Sequence, residues 1–368
     1  MNLFEIQNSN LPRIAILFGG NSPEYPVSLS SGSAVLSAVD AKRFTPVPIG
    51  ISKDGSFFLY TGDYAKIADD SWLCPDDCCP VCFSGRQSSH SFFIFPPDAD
   101  GTPSSPVTLS VRAALPILHG RNGEDGTVQG LLSLLGIPVI GCGTLCSSLC
   151  MDKERAHRIA SSLGVAVPKS YTADSKTSPE ELFCIADALS FPLFVKPLRA
   201  GSSFGVTCVQ TEDQLLSAVQ EALTYDTRIL LEERIEGFEV GCAVMGRNTL
   251  LPEQLTIGDV DEIELADGFF DYTEKYTLKT SKIHVPARIS SQKAREIKET
   301  AARLYLGLDC DFFARVDLFL TPEGRIYFNE INTIPGFTSH SRFPGMMKSL
   351  GIPFSSLVNQ LIEMEVSS

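Results

Sequence analysis

The sequence predicts a multidomain chain of mixed α/β and α+β class, and three observations carry that reading. Two buried-type strands, Arg13 to Phe18 and Val111 to Leu118, each end in a glycine-bearing loop that leads into a helical pattern. From Met151 the pattern changes to short strands interleaved with capped helices. Near the C-terminal end FFARVDLFL, a break at Pro322-Glu323-Gly324 and RIYFNEIN read as a β-hairpin. A strand, a glycine turn and a helix start open an α/β layer, and strand runs paired with separate helices mark α+β.

The chain has 368 residues, enough for two or three domains and a full core. Its 43% hydrophobic and 20% charged residues are those of an ordinary globular protein. No apolar run reaches membrane-spanning length, and Met1 to Leu11 lacks the basic start and apolar core of a signal peptide, so the expectation is a cytoplasmic protein with no membrane partner. The formal charge of −14 argues against nucleic-acid binding; a phosphate ligand would need local lysines.

Taken in order, Gly19-Gly20 and the loop Asn21 to Tyr25 precede a helix over Ser28 to Val39. That corner can hold an anion or ligand, but without G-x-G-x-x-G it is not read as a dinucleotide site. Residues from about Tyr60 to Pro106 are rich in Asp, Ser, Pro and Cys and read as an irregular surface insertion. Within it Cys74, Cys78, Cys79 and Cys82 could in principle bind zinc. No second pair follows at finger-like spacing, so reduced surface-loop thiols are the expectation. Cys142, Cys146 and Cys150 recur every fourth residue, as helix packing would place them.

His119 stands at the end of the second strand, before three glycines, paired acids and a helix over Thr127 to Leu135. Ligands of open α/β sheets gather at such strand ends, though a satisfied structural histidine is the plainer reading. Asp152 to Arg155 open a helix that ends near Gly164. Ser178-Pro179-Glu180-Glu181 and Thr211-Glu212-Asp213-Gln214 read as capping boxes. Phe191 to Val195 is a strand that delivers Lys196 to a small-residue loop, Arg199 to Gly205, able to lie over phosphates. Ile229 to Ile235 and Glu239 to Val244 are further strands, Ser291 to Leu306 is a helix, and Phe269 to Tyr276 is an ordered loop.

In the hairpin, residues two apart share a strand face, so Arg315 and Asp317 point one way, as do Glu330 and Asn332. Pairing the strands gathers Asp317, Glu330 and Asn332 as hard oxygen donors suited to Mg²⁺. The plainer alternative is a polar face turned to solvent. The donor-rich loop Ile334 to Ser341 favours the metal, against which it is expected to lie.

Eight motifs, in order, carry a family resemblance: FGGNSPEYPVSLSSG, LHGRNGEDGTVQG, MDKERAH, VKPLRAGSSFGV, EGFEVGCAV, DYTEKY, ARVDLF and FNEINTIPGFTSHS. Together they resemble the ATP-grasp fold, and within it the D-alanine–D-alanine ligase family of peptidoglycan synthesis. GFFDYTEKYTLKTSKIHVPARI and GFTSHSRFP look most like D-alanine–D-serine ligases of the vancomycin-resistance G type. The chain departs from the family pattern at Pro26, where a second Glu is usual, and at Ala200 and Glu233.

The resemblance implies a Rossmann-like pre-ATP-grasp domain over 1–141, a central α+β subdomain over 142–230 and a C-terminal ATP-grasp subdomain over 231–368. It implies that MgATP phosphorylates the carboxylate of one D-alanine and that a second D-amino acid attacks the acyl phosphate, with D-alanine expected and D-serine the alternative. Lys153 and Lys196 would bind phosphates, and Glu232 and Glu239 the adenine amino group and ribose. Asp317, Glu330 and Asn332 would hold two Mg²⁺, with Mn²⁺ an alternative. Arg315 and the Gly336 N–H would stabilise the oxyanion. Glu24, with His119 close by, would take the first D-alanine's ammonium. Ser202 and Tyr276 would link to Glu24, and Lys275 and Ser341 would bind the second carboxylate. A homodimer is implied as well. Another ATP-grasp ligase or carboxylase, or an inactive nucleotide-binding module, are the competing classes.

Overall fold

The structure is a computed structural model that describes residues 2–84, 90–96, 105–265 and 281–367. By compactness it forms two units. One comprises Met1–Ser147, Cys310–Ala314 and Thr333–Ser368; the other comprises Ser148–Asp309 and Arg315–Asn332. The blocks expected from sequence order, 1–141, 142–230 and 231–368, differ from this grouping, because the chain after Thr333 packs with the N-terminal half.

The first unit is built on one sheet. Its strands are β1 (Arg13–Gly19), β2 (Thr45–Ile51), β3 (Phe57–Tyr60), β4 (Cys78–Phe83), β5 (Ser91–Ile94), β6 (Val107–Ser110) and β7 (Ala113–Pro116). They lie in the order β6-β5-β4-β3-β2-β1-β7. β1 runs parallel to β2 and β7, and its interior is buried throughout, as a strand covered on both faces requires. Helices α1 (Leu3–Asn8), α2 (Tyr25–Ala38), α3 (Ala65–Ala68), α4 (Thr127–Leu134) and α5 (Thr144–Met151) accompany it. A Cβ on Gly32 would sit 2.5 Å from the Phe18 Cβ, so only glycine lets α2 approach β1 this closely.

The stretch expected to be irregular supplies β4 and β5, which with β6 extend the sheet antiparallel from β3. Within β4 Cys78 and Val81 are buried while Pro80 and Cys82 are exposed, and residues three apart face opposite ways on a strand, so β4 carries no simple inward–outward alternation for the sequence to show. Cys78 is therefore a buried strand thiol, bonded to the Trp72 carbonyl oxygen at 3.4 Å and pushed up to about 11 by burial. α2 starts three residues before the predicted helix, with Pro26 tolerated in its first turn.

The second unit holds two sheets. The smaller contains β8 (Ser170–Asp174), β9 (Leu193–Pro197), β10 (Thr207–Val209) and β11 (Arg228–Glu233), in the order β10-β9-β11-β8. Around it stand α6 (Lys153–Ser162), α7 (Pro179–Leu189) and α8 (Leu215–Tyr225). Asp152 caps α6 by accepting from Arg155 N at 3.1 Å, and Ser178 with Glu181 forms the predicted capping box of α7. Thr211 makes no side-chain cap; a short 3₁₀ turn over Glu212–Gln214 precedes α8 instead.

The larger sheet contains β12 (Phe238–Gly246), β13 (Thr256–Ile257), β14 (Asp261–Leu265), β15 (Ser281–His284), β16 (Phe312–Leu320) and β17 (Ile326–Asn332). Its order is β15-β14-β12-β16-β17, with β13 on β12, and α9 (Ser291–Gly307) packs on β12. Helices α10 (Arg342–Ser349) and α11 (Phe354–Val366) return to the first unit. Among the described residues no helix is long and apolar enough to cross a membrane.

Gly50 offers a direct check on the packing of the first unit. A Cβ there would meet the fully buried Trp72 ring at 2.4 Å. Gly50→Ala is expected to lower stability by about 1–3 kcal/mol through overpacking. Urea unfolding measures this, and an unchanged midpoint would contradict the placement of Trp72.

Candidate active site

The hairpin forms as its alternation predicts. Antiparallel register sets Arg315 opposite Asn332 and Asp317 opposite Glu330, so all four side chains share one face. Asp317 is 1% exposed, and its carboxylate is held from two sides. Arg315 donates through Nε to Oδ1 at 2.8 Å and through Nη2 to Oδ2 at 2.7 Å, while Asn332 Nδ2 donates to Oδ2 at 2.9 Å. A bidentate guanidinium is the arrangement that makes a buried carboxylate tolerable. The donor set fits Mg²⁺: two carboxylates and an amide are hard oxygen ligands, and the Glu330 side chain keeps 21% of its surface exposed.

Between Asp317 and Leu318 the register slips, so that Leu318 pairs with Phe328 and Asn329 is the extra residue. Such a bulge frees a backbone group, and here the Asn329 carbonyl accepts from His157 Nε2 at 3.0 Å. His157 lies on α6, 5.7 Å from the Phe328 ring, and burial pushes its pKa down. It is therefore neutral, with the proton on Nε2 fixed by a carbonyl that can only accept. Its buried Nδ1 has no hydrogen-bond partner among the described residues.

Lys153 opens α6. Its Nζ donates to the Ala200 carbonyl at 2.7 Å and lies 3.9 Å from Glu330 Oε2. On the smaller sheet Lys196 pairs with Leu230 and Glu232 with Phe194, which sets Lys196 and Glu232 diagonally on one face. Both are buried, and Lys196 Nζ donates to Glu232 Oε1. Among the described residues Glu232 Oε2 is buried with no partner, an acceptor suited to a ligand's amino group. The loop joining β9 to β10 holds Ser202 at φ +47° and Ser203 at φ +59°, left-handed conformations that serine seldom adopts. Glu239 lies on β12, half-buried.

The first unit carries a separate set. Glu24, 5% exposed, is the N-cap residue of α2. A Cβ on Gly120 would fall 2.0 Å from its Oε2, and Gly120 holds φ +71°, so glycine is required twice over. His119 donates from Nδ1 to the Ile334 carbonyl at 3.0 Å, which leaves Nε2 to accept from Ser31 Oγ at 3.2 Å. The same Ser31 Oγ accepts from Phe337 N at 3.2 Å. Glu124 completes the frame, accepting from Gly120 N at 2.8 Å and from Ile334 N at 3.3 Å. Phe337 anchors the loop against Phe313, Phe343 and Phe354. Ser341 stands at the N-cap of α10 without a side-chain cap; its Oγ accepts from Thr338 N at 3.1 Å and sits 3.2 Å from a Cβ placed on Gly336.

The structure thus brings together Arg315, Asp317, Glu330, Asn332 and Lys153, and separately Lys196 with Glu232. In the first unit it sets Glu24 against Gly120 and Ser341 against Gly336. His119 has both ring nitrogens committed to protein partners, so its visible role is to fix the 334–337 loop. Lys275 and Tyr276 lie outside the described residues. The sequence reading gave no role to His157, Glu124 or Ser31. Each sits inside a quoted motif, but its partner is far away in sequence, so spacing gave no signal.

The Lys196–Glu232 pair makes a stability test. Lys196→Met leaves a buried carboxylate without its cation and is expected to cost about 3–5 kcal/mol, whereas Lys196→Met with Glu232→Leu should recover most of it. Denaturant unfolding of the two variants distinguishes them; a mild single variant would show that the pair is not buried as described.

Comparison with known proteins converges on one family. The model described as "D-ala D-ala ligase N-terminus" matches residues 13–142, and "D-ala D-ala ligase C-terminus" matches residues 159–363. The crystal structure of VanG D-Ala:D-Ser ligase from Enterococcus faecalis shares 48% identity at a TM-score of 0.85, covering 97% of this chain and 100% of that one. Vancomycin C-type resistance protein VanC1 of Enterococcus gallinarum is 40% identical over 96% of this chain and 98% of its own. A D-alanine–D-alanine ligase of Caldicellulosiruptor bescii is 36% identical over 96% and 95%. The solved relatives carry the ATP-grasp fold, and the mixed α/β architecture described above matches theirs. With both family models matched along most of its length, the chain belongs to the D-alanine–D-alanine ligase family.

Proposed function

We propose that the protein ligates D-alanine to a second D-amino acid through an acyl phosphate, and that D-serine is the preferred second substrate. ATP-dependent ligation in peptidoglycan synthesis is general to the family. The observation that carries the D-serine preference is the 48% identity to a D-Ala:D-Ser ligase over 97% of this chain, against 36% to a D-alanine–D-alanine ligase. It shifts the second substrate from the D-alanine expected on sequence grounds to its stated alternative.

In this reading Lys153 and Lys196 bind the nucleotide phosphates as point charges, and Glu232, through its unpartnered Oε2, accepts from the adenine amino group. Glu239 takes the ribose. Asp317, Glu330 and Asn332 would hold two Mg²⁺, or Mn²⁺. When bound, such ions neutralise charge on the transferring phosphoryl group. Glu24 holds the first D-alanine's ammonium, and Gly120 leaves room for that carboxylate. A carboxylate oxygen of D-alanine attacks the γ-phosphorus and ADP leaves. The amine of the second substrate then attacks the acyl carbon, and phosphate departs from the tetrahedral intermediate with that oxygen. Arg315 and the Gly336 N–H stabilise the oxyanion. From the family resemblance Ser341 and Lys275 would take the second carboxylate, and Ser202 and Tyr276 would link to Glu24 and exclude water. The reading includes a cytoplasmic homodimer.

Competition is the experiment that decides between D-serine and D-alanine. With ATP, Mg²⁺ and D-alanine saturating the first step, equimolar D-serine and D-alanine compete as nucleophiles and the dipeptides are separated by mass. A pocket that bonds the hydroxyl should favour D-Ala-D-Ser by well over the roughly hundredfold limit of mere tolerance. Predominant D-Ala-D-Ala would return the second site to D-alanine.

A further inference from the structure

Away from the residues assigned to ligation, three sulfurs converge in the first unit. Cys142 precedes α5, Cys146 lies on its first turn, and Cys310 comes from the segment that leads into β16. Their sulfur atoms lie within 4.8 Å of one another, with Cys146 and Cys310 at 3.5 Å. Each residue is at most 2% exposed, and among the described residues no histidine or carboxylate joins the group. The Cys142 thiol also points toward the carbonyl oxygens of Asp311 and Phe313, at 3.6 and 3.7 Å. Helix packing does not produce this, because Cys142 is outside the helix and Cys310 is 164 residues from Cys146. Buried cysteines often serve only as small apolar side chains. Here the three meet sulfur to sulfur from two distant segments.

We propose that Cys142, Cys146 and Cys310 form a binding site for one trivalent, thiophilic metalloid ion of the arsenite type. Charge selects the valence. Three thiolates around a monovalent ion leave a net charge of about −2, and around a divalent ion about −1, both costly in a buried site. A trivalent ion leaves none. The reaction balances without a redox partner: As(OH)₃ and three thiols give As(S–Cys)₃ and three waters. Three As–O and three S–H bonds break, three As–S and three O–H bonds form, and no proton is released. The three sulfurs already lie within 4.8 Å of one another, close enough to share one ion. Gly143, Thr144 and Leu145 are exposed, so the sulfurs lie one residue below the surface.

The test uses the full chain with Cys74, Cys79 and Cys82 changed to Ser, which removes the competing thiols of the β4 region. Native mass spectrometry after reduction and exposure to arsenite should show one adduct equal to arsenic less three hydrogens. Occupancy should fall at least tenfold in Cys310→Ser and persist in Cys184→Ser, where the exposed thiol lies on α7. If Cys310→Ser does not fold, by circular dichroism, Cys142→Ser replaces it, and if neither folds, the stoichiometry of the parent protein decides. No adduct, an adduct less two hydrogens, or one that survives loss of a cluster cysteine overturns the site. So does a stable Zn²⁺ adduct where arsenite gives none.

Discussion

The buried carboxylate of Asp317 is the constraint around which the second unit's chemistry is arranged. Taken out of water alone, an ionised carboxylate would carry a penalty of several kcal/mol. Arg315, two residues along the same strand, and Asn332, across the ladder, remove that penalty by bonding to it directly. The strand register is what makes both reachable: a one-residue slip would send Asn332 and Glu330 to the opposite face. The bulge after Asp317 then ends strict alternation and turns the Asn329 carbonyl to His157, which ties α6, and with it Lys153, to the same hairpin. One sheet register thus positions an acid pair, a guanidinium and a lysine.

The first unit uses a different device for the same purpose. Its loops after β1 and β7 are irregular, and where turn bonds between backbone groups do not reach, buried side chains satisfy the backbone. Glu124 accepts two backbone N–H groups from separate loops, and the Ser31–His119 pair bridges a third. Glu24 can then stand beside Gly120 with its position set by the frame around it. The two devices suit the two halves of the proposed ligation: a rigid face of carboxylates, guanidinium and lysine where phosphoryl transfer is proposed, and a shaped polar corner where a small zwitterion would be held.

Much of the fold was legible because local chemistry and final structure agree. The Asp152 cap, the Ser178 capping box and the alternation of FFARVDLFL each specify an element without help from distant residues. The strands between Tyr60 and Pro106 were not legible, since in β4 the buried Cys78 and Val81 stand three apart around Pro80 and give no period-two signal, and the strand pairs only because β3 offers an edge. Thr211 shows the converse, a capping signature without a cap. Of the site, the residues that share a strand face could be grouped from spacing alone. His157, Glu124 and Cys310 could not, because each acquires its meaning from a partner more than a hundred residues away.

In the proposed ligation the substrate carboxylate, and not water, receives the γ-phosphoryl group. Isotope transfer measures this. With D-alanine labelled with ¹⁸O in its carboxylate as first substrate and D-serine as nucleophile, one ¹⁸O atom is expected in the inorganic phosphate for each dipeptide formed. Phosphate without label, released in step with dipeptide, would contradict an acyl phosphate and with it the roles given to Arg315 and the metal-binding face.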